Sequence, residues 1–170
     1  TLAGQAFGNA GVHIPHAMSY SVAGLNHTNV SAGYEREMPQ VPHGVSVVIN
    51  APSAFRYIAD DNPDRLLEAA RALGVDVSDA TAAEGGELLG TRLAEMMKMT
   101  GLPNGLTGLK YSDADIPALV EGAMVQQRLL APLQLGLVLE QLALVGLERI
   151  VLVVQPRGPH VRALHPSRAL

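Results

Sequence analysis

The spacing of apolar residues indicates that the chain is helical from its first residues onward. Residues 2–24 carry Ala, Leu, Val and Met three or four positions apart, which is the repeat of a helix with one buried face. Gly11 and Pro15 interrupt this repeat, and proline removes a hydrogen bond from a helix interior. The segment is therefore predicted to form two helices that meet near His13.

The next stretch, residues 25–41, has a different character. It is polar, contains glycine and proline and shows no sustained period, so it predicts a long loop. Pro42 suits the first turn of the helix that follows, because its missing N–H has no helical partner there in any case, and His43 falls in that same turn. This helix is predicted to kink at Pro52 and to carry an apolar stripe on both sides of the kink, made of Val45, Val48, Ile49, Phe55 and Ile58.

Two more helices have clear start and stop signals. One has its start signal at Asp61 or Asn62 followed by Pro63 and stops at Gly74. Its apolar stripe consists of Leu66, Leu67, Ala70 and Leu73. The other runs from about Thr81 to Thr100. Its two striped methionines are interpreted as core residues rather than ligands, and the whole stripe consists of Leu88, Leu89, Leu93, Met96 and Met97.

The final helix is predicted from a capping box, in which Ser112 and Asp115 each bind the backbone N–H of the other, and it should run to about Leu130. Beyond this helix, Leu and Val crowd the chain, and a basic, proline-rich end follows. We therefore predict a helical domain over residues 1–132 and an atypical tail over residues 133–170.

Composition favours an all-α fold and excludes several functions. Apolar residues make up 48% of the chain and aromatic residues only 4%, so the core must be built from aliphatic side chains, which suit helix packing. The net charge of −4 and the scattered basic residues leave no footprint for nucleic acid. Charged residues interrupt the longest apolar stretch, so we expect no membrane span. Without cysteine, any metal must be bound by His, Asp or Glu.

Two histidine segments carry the candidate chemistry. In HIPHAMSY, residues 13–20, His16 and Tyr20 are four positions apart and lie on one face of a helix. Neutral imidazole is the commonest metal ligand, but most histidines bind nothing, so His16 taken alone is more often a structural residue. In PHG, residues 42–44, Gly44 leaves room beside His43.

The pairing of these segments is specific. GNAGVHIPHAMSYSVAG is followed, 27 positions from His16 to His43, by VPHGVSVVINAPSAF. Over residues 1 to about 132, the chain resembles the iron-containing (type III) alcohol dehydrogenase family. The long spacing, the HxMSY form, LEAARALG and YSDADIPALVEG are similar to its hydroxyacid-oxoacid transhydrogenase branch.

This resemblance implies a fold and a site. The fold is the all-α C-terminal helical domain of that family, and residues 1–132 become its metal-binding domain. His16 matches the third and His43 the fourth protein ligand of a divalent metal, Fe²⁺, Zn²⁺ or another. Tyr20 stands where many members have a second pocket histidine, as a catalytic proton partner or substrate contact.

The resemblance also identifies what these 170 residues do not contain. In the family, NAD(P) is bound mainly by a Rossmann-like N-terminal domain. The first two metal ligands, an Asp and a His four residues later, also lie upstream of the matching segment. The one glycine pair that could suggest a cofactor turn, Gly85 with Gly86, lies between helical segments and follows no strand. We expect the chain alone to be inactive.

The parent enzyme is expected to transfer hydride between 4-hydroxybutyrate and 2-oxoglutarate through bound NAD. Candidate cations for the substrate carboxylates are Arg56, Lys110 and Arg128. The resemblance further implies a homo-oligomer that acts on a small hydroxy acid or alcohol, in the cytoplasm or, in a eukaryote, in the mitochondrial matrix. Two alternatives stay open: an NAD(P)-dependent iron-containing alcohol dehydrogenase, and a non-catalytic helical interaction domain.

Overall fold

The computed structural model describes residues 1–31 and 39–126, and within them every regular element is a helix. An isolated parallel bridge between Val30 and Gln40 is the one strand-like pairing of these residues, so the all-α prediction is confirmed. Three 3₁₀ turns also occur, at Ala82–Glu84, Leu106–Leu109 and Asp113–Asp115. The α-helices are α1 (Leu2–Ala10), α2 (Ile14–Gly24), α3 (His43–Val48), α4 (Ala51–Tyr57), α5 (Pro63–Ala72), α6 (Gly85–Met99) and α7 (Ile116–Met124).

The division of the first helical segment near His13 is confirmed. Gly11 ends α1 with a φ of 75°, a left-handed conformation that glycine adopts without steric cost. His13 is then extended and caps α2, and Pro15 lies in the first turn of that helix, where its missing N–H has no partner to lose. The residues of the predicted loop that the structure describes, 25–31 and 39–41, are irregular.

The predicted kink near Pro52 is confirmed as a break between α3 and α4. The backbone N–H of Asn50 bonds Val47 O at 3.2 Å, three residues back, instead of the carbonyl of Ser46. The side-chain amide of Asn50 donates to that carbonyl at 2.7 Å and so satisfies the group that the kink would otherwise leave unpaired. A single buried side chain therefore stabilises the turn between two short helices.

The later helices follow their local signals with one exception. Gly74, with a φ of 86°, follows the end of α5, and Ser112 with Asp115 forms the predicted capping box. The prediction that the last helix reaches about Leu130 is wrong, because α7 ends at Met124. Its last turn tightens, since the N–H of Gln126 bonds the carbonyl of Ala123, three residues back. The predicted tail over residues 133–170 lies outside the described residues.

Two hydrophobic clusters form the core. The larger one joins α2, α3, α4, α7 and the end of α6, and the smaller one centres on Leu66, Ala70 and Leu89 between α5 and α6. Ile58 packs against both. The interpretation of the α6 methionines as core residues holds for Met97, which is 2% exposed, but is wrong for Met96, which is 37% exposed.

Close approach of α6 to its neighbours depends on glycine. A Cβ atom at Gly86 would lie 2.5 Å from the Cβ of Ala59, and one at Gly85 would lie 2.5 Å from the backbone nitrogen of Leu67. The glycine pair once considered for a cofactor turn therefore lies in the first turn of α6 and serves packing. In contrast, α1 contributes no buried residue.

Candidate metal centre

The two motif histidines enter the site from the beginnings of two helices. His16 is in the first turn of α2, where its backbone N–H bonds the carbonyl of His13 at 3.0 Å, and its side chain is partly buried. His43 is the first residue of α3 and is exposed. Because α2 and α3 pack against each other, these helix beginnings bring together two residues that are 27 positions apart in the chain.

The two imidazole rings lie close together, with the edge of one toward the other. Their centroids lie 5.5 Å apart with an interplanar angle of 62°. Two imidazoles that bind one metal ion through nitrogens at about 2.1 Å place their ring centroids on the order of 5 Å apart. The centroid separation therefore agrees with that of two imidazoles on one ion.

The surroundings of His16 favour its neutral form. Burial, and then the neighbouring His43, lowers the pKa of His16. A neutral imidazole has the free lone pair that a metal requires. His13 is different, because burial lowers its pKa while the charge of Asp61 opposes that effect.

The described residues supply only part of a metal site. Within residues 1–31 and 39–126, no group of three or more His, Cys, Asp or Glu side chains is placed to hold a metal ion. Two neutral nitrogens without a carboxylate hold a hard or borderline divalent metal weakly. The donor chemistry therefore fits two ligands of a larger set, and the assignment of His16 and His43 as ligands stays a prediction.

Tyr20 lies one turn beyond His16 on α2 and is 47% exposed. From the part of the chain that the structure describes, its hydroxyl receives no hydrogen bond. The side chain is thus available to a molecule that approaches the histidine pair from solvent, and its catalytic role stays a prediction.

Two of the three candidate cations for a substrate carboxylate already have partners. Arg56 donates to both carboxylate oxygens of Glu87, at 2.8 and 2.9 Å, and to the hydroxyl of Thr91 at 3.0 Å, and so links α4 to α6. Lys110 donates to the carbonyl of Thr28 at 3.4 Å. Arg56 is a structural link rather than a free cation, and Arg128 lies outside the described residues.

Two serines that the sequence patterns did not single out lie about one helical turn after the histidines. The hydroxyl of Ser19 donates to the carbonyl of His16 at 2.7 Å, and the hydroxyl of Ser46 donates to the carbonyl of His43 at 2.9 Å. Each serine follows its histidine by three positions, and this shared HxxS spacing was the available signal.

No helix in the described part of the chain is long and apolar enough to cross a membrane.

Comparison with known proteins places the chain in a family of oxidoreductases. The model of the Fe-containing alcohol dehydrogenase family, C-terminal, matches residues 1–135. The chain is 43% identical over 128 residues to a mitochondrial hydroxyacid-oxoacid transhydrogenase of Xenopus tropicalis, an alignment that covers 75% of this chain and 28% of that protein. It is 42% identical over 132 residues to the mitochondrial transhydrogenase of that name from Homo sapiens, covering 76% of this chain and 28% of that protein.

A relative from a third organism also carries the transhydrogenase name. The chain is 40% identical over 127 residues to a probable mitochondrial hydroxyacid-oxoacid transhydrogenase of Dictyostelium discoideum, covering 74% of this chain and 23% of that protein. The chain thus spans about a quarter of the length of the curated relatives it matches.

Proposed function

Since the chain belongs to the Fe-containing alcohol dehydrogenase family, whose C-terminal model matches residues 1–135, we propose that His16 and His43 supply two ligands of a catalytic divalent metal. The observation that carries the proposal is the 5.5 Å separation of their ring centroids across two different helices. The remaining ligands, including an anionic one, come from outside the described residues. Fe²⁺ is the metal that the family description favours, and Zn²⁺ suits the same imidazole donors.

Each residue of the site has a limited and specific task. Burial favours the neutral form of His16, and His43 is exposed at the start of α3. Each imidazole would offer one nitrogen to a shared metal ion. A metal bound there supplies Lewis-acid polarisation of a substrate oxygen, and NAD(P) supplies the hydride acceptor. Tyr20, one turn from His16 and exposed, contacts the substrate or exchanges a proton with it at its phenol oxygen.

The names of the relatives indicate the substrate class. All three are called hydroxyacid-oxoacid transhydrogenases, and we extend that reaction to the protein of which this chain forms part. In our proposal, 4-hydroxybutyrate loses a hydride and a proton and becomes succinate semialdehyde. NAD held by the parent protein would supply the hydride carrier, and 2-oxoglutarate takes up a hydride and a proton to become 2-hydroxyglutarate.

Three further properties belong to the same proposal. The protein forms a homo-oligomer, takes a small hydroxy acid or alcohol as substrate, and binds NAD(P) mainly through residues other than these. The relatives are named as mitochondrial, which favours the mitochondrial matrix over the cytoplasm for a eukaryotic source.

A metal titration of the full chain tests the ligand assignment. Zn²⁺ is added to chain with ¹³C-labelled histidine, and the ring signals of all six histidines are followed by NMR. We expect the signals of His16 and His43 to shift together with one shared affinity, and we expect His16→Ala or His43→Ala to weaken Zn²⁺ binding roughly tenfold or more, as loss of a ligand does.

The matched control is His27→Ala, which removes an exposed histidine from the loop after α2. This variant should bind Zn²⁺ like the wild type. An ordinary edge-to-face contact between the rings predicts another outcome, in which His16→Ala and His43→Ala leave Zn²⁺ affinity unchanged, and that result would refute the metal site.

A further inference from the structure

Helices α2 and α3, which pack against each other, each carry a buried serine three residues after the motif histidine. Ser19 is 1% exposed and Ser46 is 0% exposed. Each lies three residues after a ring of the histidine pair and donates its hydroxyl to that histidine's own carbonyl. The hydroxyls are therefore satisfied inside their own helices and are not needed for any bond across the interface.

Each serine shares a helix face with its histidine ring, and we take these faces to be the ones that meet. Residues three apart on a helix share a face, and the ring contact shows that the faces of His16 and His43 meet. Helix α7 packs against another side of α2. A Cβ atom added to Gly122 of α7 would lie 2.7 Å from the Cβ of Ser21 of α2. On a regular helix, Ser19 and Ser21 point about 160° apart, so Ser19 faces away from α7.

The small size of these side chains controls how closely the helices approach. The distance between packed helices depends on the residues at the contact, and serine adds one heavy atom beyond Cβ. A larger residue at either position must push the helices apart or move its own neighbours, because a packed interior leaves no free volume. The histidine rings lie one helical turn from these serines. The distance between the two rings therefore changes with the distance between the two helices.

We infer that Ser19 and Ser46 are positioning residues that set the distance between the His16 and His43 rings. The inference rests on the proposed metal site for its functional meaning, but the ring distance itself exists without metal. In this view, size matters at both positions and the hydroxyl matters little. Replacement by Ala should preserve the ring distance, whereas Thr, which keeps the hydroxyl and adds a methyl group, should increase it.

Ser21 provides a matched control within the same helix. It is buried, and its hydroxyl donates to the carbonyl of Met18, three residues back, at 3.0 Å. Ser21 therefore has the same hydrogen-bond pattern as Ser19, but it lies on the side of α2 that packs against α7. Ser21→Thr should strain the α2–α7 contact and cost stability, and it should leave the histidine rings where they are.

The first measurement is made without metal on the full chain. The nuclear Overhauser effect between ring protons of His16 and His43 falls with the sixth power of their distance. We expect Ser19→Thr and Ser46→Thr to reduce it about threefold or more, through the backbone shift that overpacking causes. Ser46→Ala and Ser21→Thr should keep it near the wild-type value. If Ser46→Thr does not fold, Ser46→Cys, a smaller enlargement, takes its place.

The second measurement is Zn²⁺ affinity. Ser19→Thr and Ser46→Thr should weaken it roughly tenfold, in the range seen when groups that orient metal ligands are changed, while Ser21→Thr should leave it unchanged. Equal effects of all three Thr variants on the ring signal would overturn the inference, because they would indicate general loosening. Unchanged ring signals in folded Ser19→Thr and Ser46→Thr would overturn it as well.

The two measurements separate this inference from the proposed function. If the ring signals respond as expected but His16→Ala and His43→Ala leave Zn²⁺ affinity unchanged, the ligand assignment fails and the positioning role stands. If Zn²⁺ binds through His16 and His43 but the ring signals ignore the serines, the positioning role alone fails.

Discussion

Tyr111 contacts a part of the chain 89 residues before it, where its buried hydroxyl donates to the carbonyl of Val22 at 2.6 Å. This carbonyl belongs to the last turn of α2, where helix carbonyls lack partners of their own. Asn50 has a comparable role at the α3–α4 break, since its amide satisfies the carbonyl of Ser46. Individual buried side chains thus donate hydrogen bonds to carbonyls near the ends of the two helices that carry the histidines.

Removing the Tyr111 hydroxyl should destabilise the fold. Tyr111→Phe leaves the Val22 carbonyl buried without a donor, which costs about 1–2 kcal/mol of unfolding free energy. Urea denaturation at pH 7 measures the difference. Tyr20→Phe is the control and should change stability by less than about 0.5 kcal/mol, because Tyr20 is exposed. Equal losses in both variants would contradict the role of this bond.

Tyr111→Phe should also differ from wild type in how its stability changes at alkaline pH. Burial raises the pKa of Tyr111, and the charge of Asp115 raises it further. The unfolded tyrosine loses its proton first, near pH 10, so the contribution of Tyr111 to stability is complete below that pH and is lost as pH rises through its higher folded pKa. Tyr111→Phe should therefore lose less stability than wild type between about pH 9 and pH 11.

At the scale of elements, α6 is the helix against which α4 and α5 both pack. Its glycines allow that contact, and Arg56 reinforces it through a two-bond pairing with Glu87. Arg56 lowers the pKa of Glu87, as expected for a carboxylate beside a guanidinium. Packing and charge pairing therefore act on the same helix surface.

Adding one methyl group at Gly86 tests this packing. Ala favours helix over Gly by about 1 kcal/mol, but the new Cβ would lie 2.5 Å from the Cβ of Ala59 and 3.0 Å from the carbonyl oxygen of Phe55. We expect Gly86→Ala to lower the unfolding free energy by a net 1–3 kcal/mol or so. Thermal and urea denaturation measure it.

Gly8→Ala is the matched control, because Gly8 lies inside α1 and nothing lies within 4 Å of its added Cβ. That variant should be neutral or slightly stabilising. A Gly86→Ala protein as stable as wild type would show that α6 does not pack as closely as the structure indicates.

At the scale of the whole molecule, the helices from α2 to α7 share two core clusters, and α1 lies outside both. Leu2 and Phe7 are exposed on α1. A helix of nine residues is marginal in water without packing. The stability of the molecule is therefore distributed unevenly, with α1 at its low end.

Amide hydrogen exchange on the 170-residue chain measures that distribution. We expect the amides of α1 to exchange about 100-fold or more faster than those of α2 and α6, because opening α1 uncovers no core. Truncation of residues 1–10 should accordingly leave the urea midpoint of the remaining protein nearly unchanged. Protection of α1 equal to that of α6 would mean that α1 packs against the body of the molecule.

The sequence by itself determined where most helices begin and end. Gly11 and Gly74 could be read as stops and the Ser112–Asp115 box as a start, because these signals act on backbone groups within four residues. The all-α fold followed from the same local patterns. The family also followed from sequence, through the flanks and spacing of His16 and His43.

Only the tertiary structure decided which surfaces meet. It brought two distant rings to 5.5 Å, paired Arg56 with Glu87, exposed Met96 and ended α7 at Met124. A periodic stripe shows that a helix face is apolar, but not which neighbour covers it or how closely. Those outcomes depend on the volumes and hydrogen-bond partners of residues far apart in the chain, which local patterns do not contain.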